Sequence, residues 1–121
     1  MKPLVWLGSS RKNLKAFPKE VRYVFGYALF EAQLGRKHPN AKPLRGLNGG
    51  TVLEVVEDHA GNTYRAVYTV KFEGIVYVLH AFQKKAKRGI RTPKRDVNLM
   101  KQRLREAKIL HTEMCRTGKI R

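Results

Sequence analysis

The stretch TVLEVVEDHAGNTYRAVYTVKFEGIVYVLHAFQ, residues 51–83, decides the fold. It holds three runs rich in β-branched and aromatic residues, at 51–57, 63–72 and 75–83. Turn residues punctuate them: DHAGN after the first and Glu73-Gly74 after the second. Connections this short join antiparallel neighbours, because parallel strands need a crossover of a dozen or more residues. The runs therefore read as a three-stranded meander. Alternation in the middle run sets Tyr64, Tyr68 and Phe72 on one face, the better core candidate. Arg65, Val67, Thr69 and Lys71 fall on the other, more polar face.

Upstream, LVWL at 4–7 reads as a short strand. A short turn of helix follows, with Ser9 or Ser10 as N-cap, ending near Ala16. Pro18 suits the first turn of a longer helix to about residue 34. Val21, Val24, Phe25, Ala28, Leu29 and Ala32 give that helix an apolar stripe that buries one face of the sheet. Gly35 closes it in a left-handed cap. Residues 36–50, with two prolines and three glycines, read as a loop. Downstream, Thr92 and Pro93 are the N-cap and first residue of a final helix over 93–114. Val97, Met100, Leu104, Ala107 and Met114 form its stripe. The expected fold is α+β: one compact domain over 1–121, an antiparallel sheet of about four strands, N-terminal helices and a C-terminal helix.

Between the last strand and that helix lies KKAKRGIRTPKR, residues 84–95, with seven Lys or Arg and no acid. Like charges so close repel unless a polyanion offsets them. The whole chain, 121 residues with net charge +17, points first to nucleic acid as partner. An apolar content of 42% separates it from a disordered basic tail. No apolar run approaches the roughly 20 residues of a membrane span, and the start is too short in apolar residues for a signal peptide. Cys115 is the single cysteine, which excludes an intrachain disulfide and a CxxC metal site and suits a reducing cytoplasm. No carboxylate cluster has metal-ligand spacing, so neither metal nor cofactor is expected.

RNA cleavage without a metal needs a base for the ribose 2′-hydroxyl, cations for the phosphorane, and a proton donor for the leaving 5′-oxygen. Lys, Arg, His and Tyr are the tools at hand. Arg65 either bridges to an acid or reaches a phosphate from a groove. His80, near the end of the last strand, is either a packed, hydrogen-bonded residue or a proton-transfer group. Lys84, Lys85, Lys87, Arg88 and Arg91 form the densest cationic patch, for which phosphate binding is one common explanation. Tyr77 and Phe82 either pack the core or stack a base. Alternation leaves open which of Lys84 and Lys85 shares a face with Arg65, since a one-residue bulge exchanges them.

The string NTYRAVYTVKFEGIVYVLHAFQKKAKRGIRTPKRDVNLMKQRL, with KPLVWLGSSRKNLKAFP and AKPLRGLNGGTVLEV before it, resembles toxins of the RelE/ParE superfamily. The resemblance is to their phage-derived, HigB-like branch, the gene-product-forty-nine-like proteins. It implies helices packed on an antiparallel sheet and a cytoplasmic toxin of a type II toxin–antitoxin pair. It further implies a ribosome-dependent endoribonuclease that causes growth arrest by cutting mRNA. The implied partners are a helix-turn-helix antitoxin, the ribosome and mRNA, with no membrane. The family's arginine falls on Arg65 and its basic residue after the last strand on Lys84 or Lys85, with His80 in proton transfer. Lys87, Arg88, Arg91, Lys94 and Arg95 would hold RNA. Two features depart from RelE-type members: Glu54 and Glu57 stand in the strand where those have lysines, and no tyrosine follows Tyr77. A gyrase-blocking toxin and a non-catalytic RNA- or DNA-binding module are the alternatives.

Overall fold

The computed structural model describes residues 1–84 and 92–119. Lys85, Lys87, Arg88 and Arg91 lie outside the described residues. The elements run β1 (Leu4–Trp6), α1 (Ser10–Lys15), α2 (Lys19–Gln33), β2 (Ala41–Pro43), β3 (Val52–His59), β4 (Asn62–Thr69), β5 (Val76–Lys84) and α3 (Lys94–Arg116), with one 3₁₀ turn at Asn48–Gly50. The five strands form one sheet in the order β1-β5-β4-β3-β2. The α+β class and the meander β3-β4-β5 are as the sequence predicts.

Three expectations need correction. The sheet is mixed, not antiparallel throughout, because β1 pairs parallel with β5, Leu4 opposite Val76 and Trp6 opposite Val78. The chain between them supplies α1 and α2 as a crossover. The stretch 36–50 is not all loop, since Ala41–Pro43 adds an antiparallel edge strand to β3. Finally, both faces of the sheet are buried. On one side Val21, Phe25, Ala28 and Leu29 of α2 pack on Val55, Tyr64, Ala66 and Tyr68. On the other, Met100 and Ala107 of α3 pack on Val67, Tyr77 and Leu79, with Leu104 and Met114 partly buried against them. The face of Arg65 is therefore an interior face in its lower half, where Val67 and Thr69 are fully covered. Phe72, placed with Tyr64 and Tyr68 by alternation, packs on the α3 side instead, because β4 ends at Thr69 and the alternation ends with it.

Cap positions differ slightly from expectation. Pro18 and Pro93 occupy the N-cap positions of α2 and α3, so Thr92 stands one residue outside the helix. Ser9 is the N-cap residue of α1 but makes no capping bond with its side chain. Gly35 has φ of +78°, the left-handed cap anticipated. The β3–β4 hairpin turns on Ala60 and Gly61, with φ of 51° and 81°, the geometry that matches strand twist. On the outer side of α2, Tyr23, Tyr27, Phe30 and Leu34 remain exposed.

A bulge in β5 controls the site. Val67 pairs with His80 but Tyr68 pairs with Val78, leaving Leu79 as the extra residue. Val76 and Val78 point to the α2 side, and Tyr77 and Leu79 to the α3 side. After the bulge the phase shifts by one. His80, Phe82 and Lys84 stand opposite Val67, Arg65 and Thr63, on the α3 side with Arg65. Past the end of β1, the outer edge of β5 is sealed by side chains: Ser10 Oγ donates to the Val78 carbonyl at 3.3 Å and Asn13 Nδ2 to that of Ala81 at 3.2 Å.

Candidate active site

The α3 side of the sheet carries two clusters of polar groups. The first lies at the upper end of β3, β4 and β5. Glu54 stands opposite Val67, so it is a diagonal neighbour of Arg65 on the same face. Arg65 Nη1 donates to Glu54 Oε1 at 2.8 Å. Lys84, opposite Thr63, is the diagonal neighbour of Arg65 on the other flank. Its residue is only 4% exposed. Glu54 Oε2, Arg65 Nε and Lys84 Nζ are buried with no hydrogen-bond partner among the described residues. Burial holds the Lys84 ammonium below its ordinary pKa, and the charge of Arg65 pushes the same way, against a smaller pull from Glu54. Two cations thus stand near one carboxylate, which pairs with Arg65 and leaves Lys84 without a hydrogen bond among the described residues.

Arg65 and Glu54 form part of the wall of a cleft of about 640 Å³. Lys42 and Arg45 stand on the β2 side of it, and Thr92 and Val97 on the α3 side. Val97 thus lines the cleft rather than the core. Lys94 and Arg95 are exposed in the first turn of α3. The cleft therefore carries Lys42, Arg45 and Arg65 with Glu54 as the one acid among its described lining residues, an arrangement that attracts an anion.

The second cluster is buried under α3. His80 Nε2 lies 2.8 Å from Asp96 Oδ1, and His80 Nδ1 lies 3.4 Å from Arg103 Nη1. An arginine only donates, so Nδ1 accepts and Nε2–H donates to Asp96: the imidazole is neutral. Burial lowers its pKa, outweighing the attraction of Asp96. The ring stacks on Phe82, centroids 4.5 Å apart. Arg103 also donates to the Leu79 carbonyl at 2.8 Å and to Ser9 Oγ at 3.4 Å. Gly8 permits this passage: a Cβ there would lie 2.5 Å from Arg103 Nη2. The cluster ties the start of α3 to the bulge of β5.

The fold sets Arg65 in the cleft wall with the buried Lys84 as its diagonal neighbour, and it holds His80 under α3 with both ring nitrogens engaged. Sequence reasoning missed Glu54 as a member of the site, having counted it as a departure. It also missed Asp96 and Arg103. One signal was there to be read: Asp96 is the single acid between residues 84 and 105.

Residues 12–105 match the family described as "Phage derived protein Gp49-like (DUF891)". The chain belongs to the phage-derived Gp49-like family. This is the branch of RelE/ParE-superfamily toxins that its residues resemble. Among solved structures, the Gp49-like chain is similar to one described as the toxin–antitoxin complex RelBE2 from Mycobacterium tuberculosis. Identity is 19%, the match covers 70% of this chain and 93% of the other, and the TM-score is 0.45. No curated protein matches this chain. Among the described residues no helix is long and apolar enough to cross a membrane.

Proposed function

We propose that this Gp49-like protein is the toxin of a type II toxin–antitoxin pair and an endoribonuclease that cuts mRNA on the ribosome by attack of a 2′-hydroxyl. Its partners are then a helix-turn-helix antitoxin, the ribosome and mRNA. Family membership supports the toxin role. The observation that carries the chemistry is the buried Lys84 ammonium, which lacks a hydrogen-bond partner among the described residues, beside an Arg65 that shares its charge with one acid. Such a pair is costly unless an anion completes it. A scissile phosphate does so.

In this reading Arg65 and Lys84 neutralise the phosphorane as charge builds on its oxygens. Glu54 is the carboxylate within reach of the same phosphate, and Arg65 leaves it when the phosphate arrives. It then accepts the 2′-hydroxyl proton. Lys84, with its pKa held down, donates a proton to the departing 5′-oxygen. His80 serves through Asp96 and Arg103, by holding the first turn of α3 and so Lys94 and Arg95 at the cleft mouth. Lys85, Lys87, Arg88 and Arg91 join the RNA-binding set by sequence.

The test is RNA end-mapping with purified protein, mRNA and programmed ribosomes, beside the same mRNA alone. The expected result is cuts in register with the A-site codon, lost in Arg65→Ala and Glu54→Gln. Cuts that persist in both variants would overturn the site. A protein that stays toxic in cells but makes no RNA ends would be a gyrase inhibitor.

A further inference from the structure

A second cationic groove lies against the cleft. It is lined by Lys71 and Phe72 beyond β4, by Gly46 and Leu47, and by Lys101, Leu104, Arg105 and Lys108 of α3. It measures about 360 Å³. Gly46 and Leu47 line both hollows, so one segment of chain is their common wall. Four cations and no acid line the groove. Its apolar lining is Leu47, Phe72 and Leu104, and the Lys71 ammonium stands 5.7 Å from the centre of the Phe72 ring.

The charge of α3 is segregated. Lys94, Lys101, Arg105 and Lys108 follow one another at steps of seven, four and three residues, and so share one side of the helix. All four are exposed. Asp96, Glu106 and Glu113 fall elsewhere around it. A helix that merely needs solvation gains from opposite charges three or four residues apart, and like charges at that spacing cost stability. The row spans about 21 Å at 1.5 Å per residue. It begins at Lys94, between the cleft-lining Thr92 and Val97, and ends at the groove.

We propose that this groove binds the continuation of the RNA strand held in the cleft, taking consecutive phosphates on Lys101, Arg105 and Lys108, with Phe72 and Leu104 beneath a sugar or base. The inference rests on the reading of the cleft as an RNA site. Cations at helical spacing match a repeating anion, and the apolar floor matches nucleosides. The groove extends the footprint without taking part in bond cleavage.

The experiment measures binding of labelled, uncleavable 2′-O-methyl uridine oligomers, a tetramer and a dodecamer, over a range of salt. The variant Lys101→Gln/Arg105→Gln/Lys108→Gln alters exposed side chains only, and circular dichroism checks its fold. Its dodecamer salt slope is expected to fall by about 2, at roughly 0.7 for each phosphate no longer neutralised. Tetramer affinity is expected to change less than dodecamer affinity, since three phosphates do not occupy the cleft and the groove at once. An unchanged dodecamer slope overturns the proposal. So does a glutamate dodecapeptide that binds as tightly as the RNA and is lost equally in the variant, because the groove then takes an acidic protein segment. Arg65→Gln separates the two readings. If it weakens neither oligomer while the triple variant still lowers the dodecamer slope, the cleft reading fails and the groove binds RNA on its own, not as the continuation of a strand in the cleft.

Discussion

At the residue scale, Lys84 sets stability against function. A nearly buried ammonium with no hydrogen-bond partner among the described residues is a cost to the folded state. Lys84→Met keeps most of the volume and removes the charge. It is expected to raise unfolding stability by about 1 kcal/mol in urea titrations. RNA cleavage is expected to fall by about 100-fold or more. A variant that is less stable and still active would contradict the assignment. His80 makes the opposite kind of prediction. Its pKa is lowered in the fold, chiefly by burial, so below the ordinary value of 6.5 the unfolded chain takes up a proton that the folded chain resists. Its contribution is full above 6.5 and is lost as pH falls below it toward the lowered folded value. Denaturation midpoints at pH 7.5 and 5 should diverge, and His80→Gln, which cannot protonate, should narrow the difference. Arg65 shows how much a residue's own position in sequence can reveal. Its type and strand location marked it as either paired or phosphate-binding. The pair with Glu54 is diagonal across two strands, and only the register makes it visible.

At the element scale, the meander was legible because its strands and turns are contiguous and locally encoded. The edge strand at Ala41–Pro43 was not, because three residues ending in proline carry no strand signal of their own, and the hydrogen bonds come from β3. The direction of β1 was hidden for a similar reason: its partner lies some seventy residues on. Alternation did not say on which face Lys84 falls, and the extra residue Leu79 sets it on the face of Arg65. The hairpin at Ala60-Gly61 suggests a repair. Ala60 is held at φ of 51°, where a Cβ is disfavoured and asparagine is better tolerated. Ala60→Asn is expected to add about 0.5–1 kcal/mol to stability. A thermal melt should show it as a rise of about 2–4 °C. No change would mean that the turn relaxes.

At the scale of the whole molecule, the sheet is covered on both faces, and the cleft opens beside β2, where the first turn of α3 stands over Glu54 and Arg65. A net charge of +17 on 121 residues acts on all of this at once. Self-repulsion weakens the compact state, and screening relieves it. Melting temperature should therefore rise with sodium chloride between about 50 and 300 mM, where the Debye length drops below roughly 10 Å. Sulfate at matched ionic strength should raise it further, by binding at the cleft and groove. Equal effects of the two salts would argue against a preformed anion site.

The parallel pairing of β1 with β5 also bears on the order in which the molecule comes into being. A chain synthesised from its N-terminus exposes Leu4–Trp6 first, but the strand that pairs with them ends at Lys84. At about 5–20 residues per second, β1 waits roughly 4–14 s for its partner. Over that interval α1 lacks the strand it packs against, and α2 has only β3 and β4 to cover. Glu54, Arg65 and Lys84 come together only when β5 joins the sheet, and the wall at Thr92 and Val97 arrives later still. The cleft thus depends on a late event of assembly, the arrival of a strand some seventy residues downstream of the one it pairs with.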